Sequence, residues 1–452
     1  MFEFIPLIDT ALQTHTDMML QAERDLWAHP ETGYREWYAN GYLKERFEAL
    51  GYAPVMAGNI PGFYADLDTG RPGPTIAILG ELDSLICANH PESDPSTGYV
   101  HACGHHAQCA ALLGIAAALK DAALQEVLCG KVRLIAVPAE ELLELGYRKQ
   151  LKEQGIIKYF GGKVEFLYRG YLDDVDAAFM VHTTNGDKRI GFPIGSNGCL
   201  SKNITYQGKS AHAGGAPQHG INALYAANLG LSAINSLRET FVDEDHIRVH
   251  PIITAGGSAV NAIPETVTME SYVRGATLDS IIAANDKVNR AVAATALAMG
   301  ANVEISDLMG YFPLNPNADM KDLGYAVACR MFGEDQVYCE DTWGTGCTDM
   351  GDICSVMPAL HPYAAGAVGH GHGADYYIDD PQKAVVDSAR FQLGLLCALL
   401  ENGGAAAYDI KKNAKLRFNS YAEYFAAVDA LEMEQQAVTY GEDGTASVSW
   451  KK

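Results

Sequence analysis

No uninterrupted apolar run in this 452-residue chain exceeds the 11 residues from Cys109 to Leu119. About 20 are needed to cross hydrocarbon, so no membrane-spanning helix is expected. The opening MFEFIPLIDTAL carries no basic residue ahead of its apolar ones and does not read as a secretory signal. Positive charge is scarce: 33 Lys and Arg stand against 56 Asp and Glu, a net charge of −23. Such a surface repels phosphate backbones and anionic lipid headgroups, so neither nucleic acid nor a membrane surface is an expected partner. The ten cysteines are too few and too irregularly scattered for a disulfide scaffold, which points to reduced thiols and a cytoplasmic address. What is abundant is core material. With 48% hydrophobic and 20% charged residues, the chain has the composition of a folded protein, long enough for two domains or more.

Periodicity divides the chain. Apolar positions at helical spacing run through the first 40 residues, and a second helix is expected from Trp37 to Leu50. Strands are expected at Gly62–Leu67, Thr75–Leu79 and Val132–Val137. The last two are nearly continuous apolar runs, as in strands covered on both faces. With helices at Ala107–Leu119 and Glu141–Gln150, this order predicts an α/β fold with a mostly parallel sheet. From Leu200 to Asp307 the order becomes β-α-β-β-α-β, the ferredoxin-like arrangement, including a strand over Ile247–Ala255. The expected layout is a larger α/β domain in two parts, 1–195 and 311–452, with a long helix at Gln382–Glu401, around an inserted α+β domain over 196–310. The tail after Ala405 contains no usable motif.

Groups capable of chemistry gather at predicted strand ends. Cys103 and His105 lie two positions apart in a glycine-containing loop that opens a helix, so a thiolate and an imidazole can face one centre. The strand Val132–Val137 runs into Pro138-Ala139-Glu140-Glu141, the run Ala177–Val181 ends at His182, and Asp83 follows the strand Thr75–Leu79. Ligand sites in open α/β sheets lie outside the carboxyl ends of the strands. Taken singly, each residue has a structural explanation: a buried small thiol, a solvated helix start, a satisfied core histidine. Together they would form a cluster of buried polar groups that is costly unless a metal or partner satisfies it. A hydrolytic metal site needs several N, O or S ligands, an open position for water and a carboxylate just outside the ligands. Two other readings stand beside it: a thiol-dependent hydrolase with Cys103 as nucleophile activated by His105, and a non-catalytic binding protein on the same fold.

Seven motifs in order from about Trp27 to Pro381 resemble the M20 metallopeptidase family: HACGHH, PAEE, the Val181-His182 pair, GKSAHAGGAP with GINAL, GGSAVNAIPE leading to VRG, TDMGDI, and HGHGADYY. The chain is most similar to the amidohydrolase branch that hydrolyses aminobenzoyl-glutamate and amino-acid conjugates. The resemblance implies a metal-dependent catalytic domain and a lid that forms a homodimer. It implies Cys103, His105, Glu141, His182 and His372 as metal ligands and Glu140 as general base. His372 is preferred to His370 because Tyr376 stands four residues after it, where the branch places an aromatic. In the lid, it implies His212 as stabiliser of the oxyanion and Asn261 and Arg274 as substrate-holding residues, the planar fork of Arg274 suiting a carboxylate.

The expected reaction is hydrolysis of the amide bond of an N-acyl amino acid or dipeptide-like substrate, using one or two divalent ions. Zinc is the first choice because Cys103 offers a soft thiolate, and manganese the second. The chain departs from the branch at His106, where Asp or Asn is usual, at Cys354, where Ser is common, and in a longer segment from Cys87 to Val100.

Overall fold

A computed structural model of the chain describes residues 2–450. They form two compact units, one of Met1–Gly195, Asn315–Thr342 and Asp352–Asn419, the other of Ser196–Leu314, Trp343–Gly351 and Ser420–Lys452.

The first unit is built on a six-stranded sheet in the order Val55–Met56, Phe63–Asp68, Lys131–Val137, Thr75–Glu81, Ala177–Phe179, Ala359–Leu360. The last four strands are parallel and the first two join antiparallel, so the sheet is mostly parallel with one antiparallel flank. Thr75–Glu81 is buried along its whole length, as its unbroken apolar run requires, whereas Phe63–Asp68 alternates buried and half-buried positions near the edge. The helix His105–Ala118 is likewise buried on every side, packed against the sheet and the helices Thr16–Trp27 and Ser388–Leu400. Its Ala-rich sequence fits that place, because small side chains let neighbouring helices approach closely.

Two expectations need correction here. The helix expected from Glu141 begins at Leu145, because residues 139–144 form a loop with Ala139 and Glu144 at positive φ (58° and 51°). The long helix expected over Gln382–Glu401 opens with a π-helical turn at Gln382–Asp387 before Ser388–Leu400. The glycine-rich stretch from Gly344 to Gly373 contains a helix at Met350–Val356 and three two-residue strands.

The second unit is an antiparallel sheet with the order Arg248–Val249, Thr266–Gly275, Gly198–Gln207, Asn302–Tyr311, Met433–Gln436. Ile252–Ala255 also pairs with Thr266–Gly275. Helices Ala223–Ser236 and Leu278–Ala298 pack on the sheet and on each other. Thr277 and Ser280 close a reciprocal capping box at the start of the second helix. The strand expected over Ile247–Ala255 is divided at His250-Pro251, where proline cannot donate to the ladder. The expected boundary at residue 310 and the assignment of the whole tail to the catalytic part also change. Residues 343–351 and everything from Ser420 group with this unit, and Met433–Gln436 extends its sheet beside Asn302–Tyr311.

Candidate active site

The carboxyl ends of the parallel strands in the first unit carry the chemistry. Thr75–Glu81 ends in Glu81 and leads to Asp83, Lys131–Val137 leads to Glu140 and Glu141, and Ala177–Phe179 leads to His182. Cys103 and His105 reach the same place from the loop before the buried helix. That loop turns at Gly104, with φ of 98°, where a Cβ would stand 2.1 Å from the Thr183 hydroxyl and 2.3 Å from the Tyr376 hydroxyl. Only glycine fits.

Five residues converge as two overlapping ligand groups. Cys103, His105 and His182 form one, and Cys103, Glu141 and His372 the other; within each group the ligand atoms lie within 4.8 Å of one another. The Cys103 thiol is common to both, 3.3 Å from His182 Nε2. Each ring is oriented by its other nitrogen or its backbone. His105 Nδ1 lies 2.9 Å from the Asp83 carbonyl and 3.2 Å from its carboxylate, and His182 Nδ1 lies 2.8 Å from the Thr183 carbonyl. Each Nδ1 therefore donates to an oxygen, and each Nε2 is the nitrogen that faces the cluster. His372 Nε2 is 3.1 Å from Glu141 Oε1. His372 is placed by a φ of 65° and by its N–H, which donates to the Ala102 carbonyl at 2.8 Å. His370 does not join the group; it is exposed and paired with Asp375 at 2.9 Å.

The electrostatics suit a cation. Burial pushes the Cys103 thiol up, but the imidazoles of His105 and His182 outweigh it and bring it down to about 6. Burial likewise raises Glu141, and the facing His372 pulls it to about 2. The charge of Glu141 in turn lifts His372 to about 11. Glu140 moves the other way: burial and the neighbouring charges of Glu81 and Glu141 hold its carboxyl well above the usual range, so its carboxylate is a stronger base than a free one.

The loop that presents these glutamates is held by Asp83, which the sequence singled out, and by buried charged residues that it did not. Glu36 accepts the Ala139 N–H at 2.8 Å. Arg148 donates to the carbonyls of Phe160 (2.6 Å), Ala139 (3.3 Å) and Glu141. Asp83 accepts the Glu141 N–H at 2.8 Å, so one carboxylate sets both the His105 ring and the Glu141 backbone. Lys163 is fully buried and pairs with Glu81 at 2.5 Å. His361 is buried 5.9 Å from His182, ring to ring, and burial with the His182 charge lowers it to about 3. The only sequence signal for this set is polar residues at the ends of apolar runs, as in IAILGELD. His106, the unusual residue of the first motif, turns to Glu23 (3.3 Å) and Trp27 instead of the ligand groups.

His212, Asn261 and Arg274 lie in the second unit. His212 is exposed, and its Nδ1 accepts the N–H groups of Gly214 (3.1 Å) and Gly215 (2.8 Å), leaving the proton on Nε2. The Asn261 carbonyl accepts the Ala213 N–H at 2.9 Å, placing His212 and Asn261 on adjoining chains. Arg274 stands opposite Cys199 in the sheet, with its guanidinium over Tyr272 and a buried Nε that has no hydrogen-bond partner.

A mostly parallel sheet with thiolate, imidazole and carboxylate ligands at its carboxyl edge defines a metallohydrolase. Comparison with known proteins names the family. The profile of Peptidase family M20/M25/M40 matches residues 63–397, and the chain belongs to that family. It is 30% identical to the Xaa-Arg dipeptidase of Mus musculus, over 75% of this chain and 74% of the relative. It is 27% identical to the indole-3-acetyl-aspartic acid hydrolase of Enterobacter agglomerans, over 68% and 77%. Among solved structures, the Bacillus subtilis YXEP protein, a dinuclear metal binding peptidase of the M20 family, superposes with a TM-score of 0.63 at 21% identity, covering 86% of this chain and 99% of that one. The chain is thus a hydrolase of the M20 family, and its first unit carries ligand groups suited to divalent metal.

Proposed function

We propose that the protein is a metal-dependent amidohydrolase that cleaves the amide bond of an N-acyl amino acid or dipeptide-like substrate with a free carboxylate. The observation that carries this reading is the pair of ligand groups sharing Cys103, with Glu140 beside them. Their fit to a cation is supported by the Nε2 atoms of His105 and His182, which face the cluster while each Nδ1 is taken up by an oxygen, and by the buried Nε2 of His105, which has no hydrogen-bond partner. Cys103, His105 and His182 would hold one ion, Cys103, Glu141 and His372 a second; the thiolate favours zinc, with manganese as the other candidate. When bound, such an ion lowers the pKa of water and polarises the acyl oxygen.

Glu140 takes the proton of the attacking water on its carboxylate and returns it to the leaving nitrogen. His212 donates from Nε2 to the acyl oxygen as charge builds there. Arg274, with its unused Nε–H, receives the substrate carboxylate, and Asn261 supplies an amide beside His212. Support for a substrate ending in an amino acid comes from the relatives, named for Xaa-Arg dipeptides and for indole-3-acetyl-aspartic acid. The second unit is the proposed homodimer surface: its edge strand Ile252–Ala255 is exposed throughout, and Tyr225 and Leu229 are exposed on the helix Ala223–Ser236. The ten unbridged cysteines fit a reducing, cytoplasmic setting.

A panel of N-acyl amino acids and dipeptides, assayed with metal-stripped and metal-restored enzyme, tests the reading. Hydrolysis is expected only after zinc or manganese is returned. Full activity in the stripped enzyme, abolished by alkylating Cys103, would instead establish the thiol mechanism.

A further inference from the structure

We propose that Glu81 is itself a ligand of the ion on the His105 side, clamped for that role by Lys163. This rests on the metal-hydrolase reading above and extends it by a residue that none of the seven motifs contains.

Glu81 is the last residue of the fully buried strand Thr75–Glu81. Its two carboxylate oxygens have different surroundings. Oε1 receives the Lys163 ammonium at 2.5 Å, both side chains being buried. Oε2 is buried without a hydrogen-bond partner and faces His105 Nε2 at 3.2 Å, an atom equally without one. His105 Nδ1 is taken up by Asp83, so Nε2 is the ring nitrogen left to face Glu81 Oε2. The two atoms are placed so that one cation could reach both. Adjacent ligands on one ion, with bonds of about 2.1 Å and angles of about 90–110°, are about 3.0–3.4 Å apart. The observed spacing is that of neighbours in a coordination sphere. Glu81, His105 and Glu140 also form a third group of converging ligand atoms, linked to the first through His105.

Lys163 explains how the carboxylate keeps its aim. It follows Gly162, where a Cβ would stand 1.6 Å from the Pro138 carbonyl oxygen, so the helix Gly162–Tyr168 docks directly on the loop leading to Glu140. The ammonium thereby pins one oxygen and leaves the other pointing at His105. A carboxylate serving only to pair with a histidinium would not need a second buried cation.

Cobalt(II) is the probe. Titration of the metal-stripped chain follows the thiolate-to-cobalt absorption of Cys103 and the ligand-field bands that report coordination number. Two variants are compared with wild type. Glu81→Asp keeps the charge but draws the carboxylate back, and the double variant Glu81→Leu, Lys163→Met removes a neutral pair, so the net charge of the site is unchanged. Both are expected to lose about 10–100-fold in cobalt affinity with altered ligand-field bands, while Lys163→Arg restores most of the wild-type behaviour. Unchanged cobalt affinity and bands in Glu81→Asp overturn the proposal, whether or not the double variant folds. Failure of the wild-type chain to bind cobalt overturns the metal-hydrolase reading and this inference together; wild-type binding with unaltered variants overturns this inference alone.

Discussion

Each unit buries a lysine against a carboxylate, and the two pairs are finished differently. In the second unit Lys202 meets Asp307 and also donates to Asn289 Oδ1 at 2.5 Å. The other Asp307 oxygen accepts from Asn285 (2.7 Å) and Asn289 (2.9 Å). Both oxygens of that carboxylate are engaged by donors. In the first unit Lys163 meets one oxygen of Glu81, and the other faces His105 Nε2 within the ligand cluster. A saturated pair is a closed structural element, whereas a pair with one oxygen directed at a cluster of ligands is part of a site. The same residue types serve architecture or chemistry according to what their remaining lone pairs face.

The comparison predicts a division of effects. Glu140→Gln should cost the largest share of activity, a loss of about 100–10,000-fold in kcat, with bound metal near the wild-type content by elemental analysis; retained turnover would remove Glu140 as the base. Lys202→Met should act on stability instead. It leaves Asp307 charged and buried, and urea denaturation should show a loss of about 3–5 kcal/mol, largely recovered by adding Asp307→Leu, with cobalt binding unaltered throughout. If Lys202→Met changed metal affinity at constant fold, the distinction between the two pairs would fail. Arg274→Ala should lower kcat/KM by about 10–100-fold, mainly through KM and only for substrates bearing the carboxylate, as loss of a charge-assisted contact implies. The smallest effect is expected for His370→Ala. That ring is exposed and directed to Asp375, so metal content and activity should both remain at wild-type levels.

The sequence carried the chemistry better than its support. HACGHH, PAEE and Val181-His182 were readable because ligand types at strand ends are unusual against an apolar background. The parallel sheet was readable because Thr75–Leu79 and Val132–Val137 are unbroken apolar runs. Glu36, Glu81, Arg148 and Lys163 were not. A charged residue announces neither its burial nor its partner, and these partners lie 82 residues apart for Glu81 and Lys163 and 103 for Glu36 and Ala139. The helix expected from Glu141 was misplaced for the same reason: Arg148 and Glu36 take up the loop's backbone groups and hold 139–144 in a conformation that local propensity does not favour. The tail's destination was hidden because its strand Met433–Gln436 follows the pairing edge of Asn302–Tyr311 and has no apolar run of its own.

That added strand has a geometric consequence. On the far side of the second unit's sheet, Met433–Gln436 occupies the edge of Asn302–Tyr311, and Ser449 returns to donate its N–H to the Ala437 carbonyl at 2.9 Å. Among the described residues the sheet thus ends on Arg248–Val249 and Ile252–Ala255 at one border and on Met433–Gln436 at the other. The two borders differ in side chains: Ile252–Ala255 is apolar apart from Thr254, whereas Met433–Gln436 presents Glu434, Gln435 and Gln436. The tail thereby replaces the long edge of Asn302–Tyr311 with a short polar one, which is a poorer template for a further strand.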